Sequence, residues 1–402
     1  MTTQDDPGLA SPAAFRGEMD DDLGYRPTLD GLRAVAITLV LFTHTAAFLA
    51  PSVNGDFFPG GFLGVDLFFV LSGFLITTLL LERRRRDRRP IATFYLRRVL
   101  RLLPAVAVLL VADLLYAMIE RHGVHAALNS VLVVMAYVTN WAMLAGVQIS
   151  GYVTHLWSLA IEEQFYLVWP VALFTLLKLW PSRRRAAWLL GGLTLVVAAW
   201  RGYLYLSGDG WLRIYIRTDA RADALAIGAI LALLPWKTVA RTVGARSRTL
   251  IGGTALVSII VAAASLKPSA KVLYLGGFTA VAVAAAVAIA MVLDQNSGLA
   301  RLLSRRPLLL VGRWSYSLYL WHFGIFQIVA TRTAAWSTAP RIVVAWGLTF
   351  AAAGASYQVV ERPGLQLRTR LRGAARAPGV PPAGTAAAAV PTVGADPLDA
   401  PR

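Results

Sequence analysis

Long apolar segments, separated by short polar ones, repeat along most of the 402 residues of this chain. Most of them are close to the roughly 20 residues that an α-helix needs to cross a hydrocarbon layer of ~30 Å. The pattern predicts an all-α fold class, a polytopic transmembrane helix bundle. The apolar segments cover residues 31–50, 61–81, 99–119, 126–146, 155–180, 187–206, 220–236, 249–266, 272–293, 308–330 and 341–360.

The composition agrees with this membrane class. Hydrophobic residues make up 57% of the chain, charged residues only 15%, and the mean hydropathy is +0.58. A soluble protein of this length needs far more polar surface. Cysteine is absent, which excludes disulfides, thiolate nucleophiles and cysteine-based metal sites.

The net charge of +17 comes from 39 basic and 22 acidic residues, and its distribution indicates topology. The basic residues concentrate in short loops, as the positive-inside rule expects, so no nucleic-acid partner is expected. All the basic clusters fall on one side only if segment 126–146, which contains Asn129 and Asn140, does not cross. We therefore predict about ten crossings plus one re-entrant or interfacial segment, with both termini cytoplasmic, in the cell inner (plasma) membrane.

The ends of the chain differ from this apolar middle. Residues 1–27 are predicted to form a cytoplasmic polar tail, 28–363 a transmembrane domain, and the Ala/Pro/Gly-rich residues 364–402 a disordered cytoplasmic tail. The acidic start of the chain does not resemble a cleavable signal peptide, and no appended soluble domain is expected.

His44 and Asp66 are ionisable residues inside the first two apolar segments, where such groups commonly mark a functional site. With a helical rise of ~1.5 Å per residue, they lie roughly 9 and 8 Å from the outer ends of their spans. A carboxylate at that depth could accept a hydrogen bond from one imidazole nitrogen and make the other a better base. The competing interpretation is that each residue only joins neighbouring helices.

Glu162 and Glu163 occur in HLWSLAIEEQFY, in the outer half of a later segment. Successive helical residues point about 100° apart, so only one of the two can face a given site squarely. Glu162 shares a helix face with Ser158 and Tyr166, and is the better candidate, while Glu163 is expected to face water at the helix entry.

Two arginines at the cytoplasmic mouth of the third segment are candidates for binding a phosphate-bearing ligand. Arg98 and Arg101 lie three residues apart on one helix face, an arrangement that suits phosphate recognition, although topogenic charge also explains them. Arg221, Asp223 and His322 are further polar residues near spans, and each could serve only to join helices. Gly61, Gly64, Ser72 and Gly73 are assigned to helix packing rather than to catalysis.

Seven stretches, in chain order, resemble the acyltransferase-3 family of integral membrane acyltransferases. They are RPTLDGLRAVAITLVLFTH (26–44), GFLGVDLFFVLSGFLIT (61–77), FYLRRVLRLLP (94–104), HLWSLAIEEQFYLVWP (155–170), RADALAIGAILA (221–232), SYSLYLWH (315–322) and VERP (360–363). The resemblance implies a ten-helix bundle, of the stand-alone type, that transfers an acyl group, often acetyl, from cytosolic acyl-CoA to a hydroxyl. The implied acceptor is a cell-surface glycan, a lipid-linked sugar or a glycosylated or macrolide-type natural product.

The resemblance also implies roles for His44, Glu162 and the pair Arg98 and Arg101, on which the family's first-helix histidine, W-S-L-x-x-E glutamate and R-x-x-R arginines fall. The other assignments come from the positions of the residues in the chain. His44, Asp66 and Glu162 are predicted to be catalytic, with His44 either a general base oriented by Asp66 or a transient acyl carrier. Arg98 and Arg101 are predicted to bind acyl-CoA, and no metal is expected. Substrate binding is assigned to Trp157, Tyr166, Arg221, Asp223 and His322.

A proton-coupled secondary transporter is the main alternative, because ten spans with buried ionisable groups suit it equally well. Transporters are often built from internal repeats, and none is obvious in this sequence. A purely structural membrane protein would leave the histidine, the carboxylates and the paired arginines unexplained together.

Overall fold

The computed structural model describes residues 24–50, 58–86, 90–235 and 242–363, and the regular elements within these ranges are helical. The α-helices are α1 Pro27–His44, α2 Gly64–Arg86, α3 Pro90–Ile119, α4 Val124–Met135, α5 Thr139–Leu144, α6 Trp157–Leu179, α7 Arg183–Leu206, α8 Trp211–Tyr215, α9 Ala222–Leu233, α10 Ala245–Ser265, α11 Phe278–Val292, α12 Gly298–Leu303, α13 Arg306–Arg313, α14 Ser315–Arg332 and α15 Thr338–Ser356. Single π-helical turns continue α1 (Thr45–Leu49) and α15 (Tyr357–Glu361), and another precedes α11 (Leu273–Gly277). Turns of 3₁₀-helix precede α2 (Gly61–Leu63) and α6 (Gly151–Leu156), and one lies between α8 and α9 (Thr218–Ala220).

The predicted polytopic bundle is confirmed. In the described part of the chain, eight helical segments are long and apolar enough to cross a membrane: Pro27–Leu49, Gly61–Arg84, Pro90–Ile119, Gly151–Leu179, Arg183–Leu206, Ala245–Ser265, Leu273–Val292 and Thr338–Glu361. The two other predicted crossings correspond to α9, with 12 residues, and α14, with 18 residues. The number of ten crossings stays a prediction.

Segment 126–146 folds as two short helices rather than as one span. Helices α4 and α5 have 12 and 6 residues, and the chain turns between them at Tyr137, whose φ is 56°. At ~1.5 Å per residue, neither helix is long enough to cross alone. This break favours the prediction that the segment is re-entrant or interfacial.

Polar side chains attach this broken segment to the bundle. The Asn140 side chain donates to the Ile216 carbonyl (3.1 Å) and to Thr218 Oγ1 (2.9 Å). Gln164 of α6 donates to the Tyr137 carbonyl at 2.7 Å and to Asn140 Oδ1 at 3.0 Å. The carbonyl at the turn between the two helices is thus hydrogen-bonded by protein, as a membrane setting requires.

Apolar side chains cover the outside of the bundle, while many charged ones lie inside it. On α7, for example, Trp188 is 72% exposed and Leu195 is 70% exposed, whereas Arg201 on the same helix is fully buried. An apolar surface of this extent would be unfavourable in water and suits contact with lipid. Arg201 points inward because its hydrogen-bond partners, Ala220, Asp223 and Thr279, are there.

Helices α2 and α9 cross at the centre of the bundle through two glycines. A Cβ on Gly73 would lie 2.0 Å from the Leu225 carbonyl oxygen, and one on Gly228 would lie 2.1 Å from that of Val70. Only glycine permits such a close approach of two backbones. The packing role predicted for Gly73, and for Gly61 and Gly64 against α1, is confirmed.

The predicted tails stay predictions. The disordered tail 364–402 and all but the last four residues of the polar tail 1–27 lie outside the described residues.

Candidate functional site

The histidine predicted to be catalytic lies at the end of α1 and faces a second histidine from α14. Nδ1 of His44 is 3.0 Å from Nε2 of His322, and the two ring centroids are 5.0 Å apart. Phe48 stacks near His44 with centroids at 5.9 Å, and Phe323 meets it edge-on at 4.9 Å. His44 remains partly exposed, whereas His322 is fully buried.

A third histidine, His155, completes this cluster. Its ring lies 5.4 Å from that of His322 and stacks on Phe323 at 4.7 Å, with an interplanar angle of 23°. It is 3% exposed, and the described residues provide no hydrogen-bond partner for either of its ring nitrogens. His155 is the first residue of the stretch HLWSLAIEEQFYLVWP (155–170), but it was not assigned to the site from sequence.

His44 and Asp66 do not form the predicted pair. Asp66 Oδ1 instead accepts a hydrogen bond from Arg221 Nη2 at 2.7 Å, and both side chains are buried. The depth argument placed the two residues at one level but could not give their rotation about the helix axes. Because α2 packs against α9, Asp66 meets Arg221, which directly precedes α9.

A second buried ion pair lies beside the first. Arg201 of α7 contacts Asp223 of α9 at 2.9 Å, and Thr279 donates to the same carboxylate at 2.6 Å. Arg221 also lies over the Phe278 ring at 3.9 Å. Arg221 and Asp223 therefore hold helices together, which favours that interpretation over the predicted role in substrate binding.

Glu162 occupies a polar position in the bundle, as predicted. Ser72 Oγ donates to its Oε1 at 3.2 Å and Tyr166 Oη donates to its Oε2 at 3.0 Å. Glu162 remains partly exposed to the interior cavity. Ser72, assigned to helix packing by the sequence, is therefore a hydrogen-bond partner of the candidate carboxylate.

Glu163 does not face water, contrary to expectation. It is 7% exposed, and Arg98 donates to its two carboxylate oxygens from Nε (3.0 and 2.9 Å) and from Nη2 (2.5 Å). The Arg98 guanidinium also lies 3.3 Å from the centroid of the Tyr166 ring. Arg98 of α3 reaches the side of α6 that carries Glu163, a contact between helices that the one-helix argument did not include.

This contact joins two residues that the sequence assigned to different depths. The third apolar segment begins at residue 99, but α3 begins at Pro90, so Arg98 lies roughly 12 Å along the helix. Arg98, predicted at the cytoplasmic mouth, and Glu163, predicted in the outer half of its segment, therefore meet in one layer of the bundle.

Two adjoining cavities lie between one end of the bundle and this layer. The cavity at the end, here called the arginine mouth, is lined by Arg33, Arg83, Arg97, Arg98, Arg101 and Arg313, together with Asp30 and Glu82. The inner cavity is lined by Ser158, Glu162, Tyr166 and Tyr319. Six residues line both cavities, which therefore adjoin each other: Arg33, Ser72, Arg98, Arg101, Tyr166 and Arg313.

Tyr319 connects the inner cavity to the histidine cluster. Its hydroxyl donates to the His155 carbonyl at 2.6 Å, and Ser158 Oγ is 2.6 Å from the same hydroxyl. The carbonyl can only accept, so the tyrosine hydroxyl donates to it and the Ser158 hydroxyl donates to the tyrosine oxygen. Neither Tyr319 nor Ser158 was assigned to the site from sequence, although both lie in the quoted motifs.

Trp157 lies away from the inner cavity. Its ring packs edge-on against Tyr215 at 4.7 Å, and Arg221 lies 5.1 Å from the centroid of the same tyrosine ring. Tyr166, by contrast, lines both cavities. The five residues assigned to substrate binding therefore lie in three different places. Tyr166 is beside Glu162, His322 is in the histidine cluster, and the other three lie around the buried ion pairs.

Within the described ranges, no group of three or more histidine, cysteine, aspartate or glutamate residues has an arrangement that could hold a metal ion. The three histidines lie in one cluster, but their rings contact each other and Phe323 rather than converging on a common point.

The site described is that of a helical membrane protein with a polar interior, open at a basic end. Comparison with known families identifies it further: the family model described as an acyltransferase domain matches residues 26–359. The chain belongs to this acyltransferase family.

Its relatives include cell-wall enzymes. The peptidoglycan O-acetyltransferase OatA of Listeria monocytogenes is 33% identical over 357 residues, which are 84% of this chain and 56% of the relative. A candidate O-acetyltransferase of Staphylococcus aureus is 34% identical over 322 residues (76% and 51%). A candidate peptidoglycan O-acetyltransferase of Bacillus subtilis is 32% identical over 359 residues (84% and 55%).

The chain spans about half the length of these curated relatives. No solved structure matches it.

Proposed function

We propose that this chain is an O-acyltransferase of the cell inner membrane, which moves an acyl group, most simply acetyl, from cytosolic acyl-CoA to a hydroxyl of a glycan. The observation that carries the proposal is that the arginine mouth adjoins the cavity of Glu162, with six residues lining both. A donor that carries phosphates at one end and a thioester at the other suits a basic cavity beside one that holds a carboxylate.

The arginine mouth is suited to the phosphates of CoA. Arg33 comes from α1, Arg97 and Arg101 from α3, and Arg313 from the end of α13, so several helices supply guanidinium groups to one cavity. Guanidinium groups bind phosphate through paired, charge-assisted hydrogen bonds. By the positive-inside rule this end is cytoplasmic, the side on which acyl-CoA is found.

The acyl chemistry is assigned to His44. As a general base, its imidazole takes the proton of the acceptor hydroxyl while that oxygen attacks the thioester carbonyl; the C–S bond breaks, an ester C–O bond forms, and CoA leaves as the thiol after taking the proton. As an acyl carrier, the imidazole attacks the thioester carbonyl, the C–S bond breaks, and CoA leaves as the thiol with the proton of the ring; the acceptor oxygen then takes the acyl group from the ring nitrogen and its proton returns to the ring. Either version needs an unprotonated ring nitrogen on His44.

The acceptor is proposed from the relatives. Their names specify O-acetylation of peptidoglycan, so a muramyl or related glycan hydroxyl is the first acceptor to test. Residues 28–363 are proposed to form the catalytic unit, and the matched range 26–359 supports this.

The test uses the chain reconstituted in lipid nanodiscs. Binding of acetyl-CoA is measured for the wild type and Arg101→Ala, with Arg184→Ala as the matched control, because Arg184 is exposed at the start of α7. Transfer of a labelled acetyl group to peptidoglycan fragments is then measured for the wild type and His44→Ala. We expect weaker binding only in Arg101→Ala and no transfer by His44→Ala.

Two results would contradict the proposal. A folded wild type that does not bind acetyl-CoA would favour the transporter alternative, with the histidines and carboxylates acting as a proton relay. Full transfer by His44→Ala would remove His44 from the chemistry.

A further inference from the structure

The buried histidine of the cluster has its proton fixed by the backbone of its own helix. Nδ1 of His322 lies 2.8 Å from the Tyr319 carbonyl oxygen and 3.0 Å from that of Leu318. Carbonyl oxygens can only accept hydrogen bonds, so Nδ1 must carry the hydrogen. A neutral imidazole has one N–H, and therefore Nε2 of His322 presents a lone pair.

That lone pair determines the tautomer of His44. Nδ1 of His44 lies 3.0 Å from Nε2 of His322, within hydrogen-bond distance. Two lone pairs facing each other at this distance would repel, so His44 Nδ1 must donate. The hydrogen of the neutral His44 ring is then on Nδ1, and Nε2 is left unprotonated.

The aromatic surroundings favour neutral rings in this arrangement. His322 contacts Phe323 and Phe326, and it is fully buried. A charged ring in such surroundings would require a paired opposite charge. Asp66, the carboxylate predicted to orient His44, is bound to Arg221 instead.

We propose that His322 is the positioning residue of His44: it holds His44 in the Nδ1–H tautomer and leaves Nε2 as the nitrogen that accepts a proton or an acyl group. Its catalytic meaning rests on the function proposed above. In hydrolase triads a carboxylate orients the catalytic histidine. Here the imidazole of His322 takes the place of that carboxylate, and backbone carbonyls of α14 fix the position of its own proton. His44 stays partly exposed for reaction, while the positioning ring is sealed inside.

The tautomers are tested first, without reference to activity. The chain has only five histidines, so ¹⁵N-histidine labelling gives few signals, and His44→Gln and His322→Leu assign the two relevant ones. In the wild type we expect both rings to carry hydrogen on Nδ1. In His322→Leu we expect His44 to lose the fixed tautomer and show protonation of Nε2.

The kinetic readout separates positioning from packing. We expect His322→Leu to lower kcat by about 100-fold or more, with little change in KM for acetyl-CoA, because orientation of a catalytic base contributes at this scale. His322→Gln should recover part of the rate, because its side-chain oxygen can accept from His44 Nδ1. Phe326→Leu is the packing control: it alters a ring 5.8 Å from His322 and leaves the hydrogen bonds of that histidine in place.

The outcomes distinguish this inference from the function. Protonated Nε2 on His44 in the wild type, or an unchanged tautomer and kcat in His322→Leu, would overturn the positioning role and leave acyl transfer standing. The expected tautomers in a protein that transfers no acyl group would support the geometric inference and contradict the proposed function.

Discussion

Asp66 and Arg221 form an ion pair in the interior of the bundle, with Oδ1 and Nη2 2.7 Å apart and neither side chain more than 1% exposed. The pair joins α2 to the start of α9, about two helical turns (~10 Å) from the point where Gly73 and Gly228 bring the two backbones together. It therefore belongs to the frame that supports the site. The histidine that Asp66 was expected to orient is bonded to His322 instead.

Asp66→Asn should destabilise the protein and should not act on the chemistry directly. Removing one partner of a buried pair leaves an uncompensated charge, which typically costs about 3–5 kcal/mol. The double variant Asp66→Asn/Arg221→Gln removes both charges and should regain much of that loss, with transfer retained. The measurements are thermal unfolding in detergent and acetyl transfer, with Asp219→Asn as the control for a more exposed pair, where about 0–1 kcal/mol is expected. A double variant that folds but transfers nothing would return Asp66 to the catalytic group.

The adjacent glutamates Glu162 and Glu163 provide a matched comparison of chemistry and stability. Glu163→Gln weakens the two-point contact with Arg98 and leaves that arginine without its full counter-charge, so we expect a lower unfolding temperature. Glu162→Gln keeps the shape of a side chain that faces the inner cavity, so we expect stability within about 1 kcal/mol of the wild type. Its kcat should fall by about 100-fold or more if the carboxylate assists proton transfer.

The readouts for this pair are unfolding temperature and acetyl transfer on the same preparations. An active Glu162→Gln would show that the carboxylate only accepts hydrogen bonds from Ser72 and Tyr166. A Glu163→Gln variant as stable as the wild type would show that Arg98 finds another partner. Arg98→Lys should resemble Glu163→Gln, because an ammonium cannot reproduce the fork of a guanidinium.

The sequence predicted the helical class and several contacts that lie within one helix. The class follows from the length of the apolar segments, and the contacts follow from the repeat of about 3.6 residues per helical turn. Ser158, Glu162 and Tyr166 line one cavity, as their spacing on α6 indicated. Contacts between helices were not predictable in the same way. Such contacts depend on how each helix is rotated about its axis and on which helix is its neighbour, as in the pairs Asp66–Arg221, Arg98–Glu163 and His44–His322. Segments that are apolar on nearly every side carry little information about this rotation.

The length of α3 illustrates a second limit. The apolar segment begins at residue 99, yet the helix begins nine residues earlier, at Pro90. The polar residues of its first turns reach other helices: Tyr95, for example, donates to the Leu167 carbonyl at 2.5 Å. Hydropathy therefore located the apolar part of α3 and missed the start of the helix.

Gly73→Ala tests the crossing of α2 and α9. The added Cβ would lie 2.0 Å from the Leu225 carbonyl oxygen, so the helices would have to separate. Overpacking of this kind typically costs about 1–3 kcal/mol. Gly192→Ala on α7 is the control: no heavy atom lies within 4 Å of its new Cβ, and alanine favours the helix by about 0.5–1 kcal/mol. Unfolding temperatures should move in opposite directions, and an unchanged Gly73→Ala would contradict the close approach.

The topology of α4 and α5 can be decided by cysteine labelling, for which the absence of native cysteines is an advantage. His122 precedes α4, Val147 follows α5, and both are exposed, so single variants His122→Cys and Val147→Cys report the two ends of the segment. If the segment does not cross, a membrane-impermeant maleimide should label both from the outer side of intact cells. Arg184→Cys, at the start of α7, should be labelled only after permeabilisation. Labelling of the first two positions from opposite sides would show that the segment crosses the membrane. The prediction of a re-entrant or interfacial segment would then be wrong, and the assignment of the arginine mouth to the cytoplasmic side would need a new test.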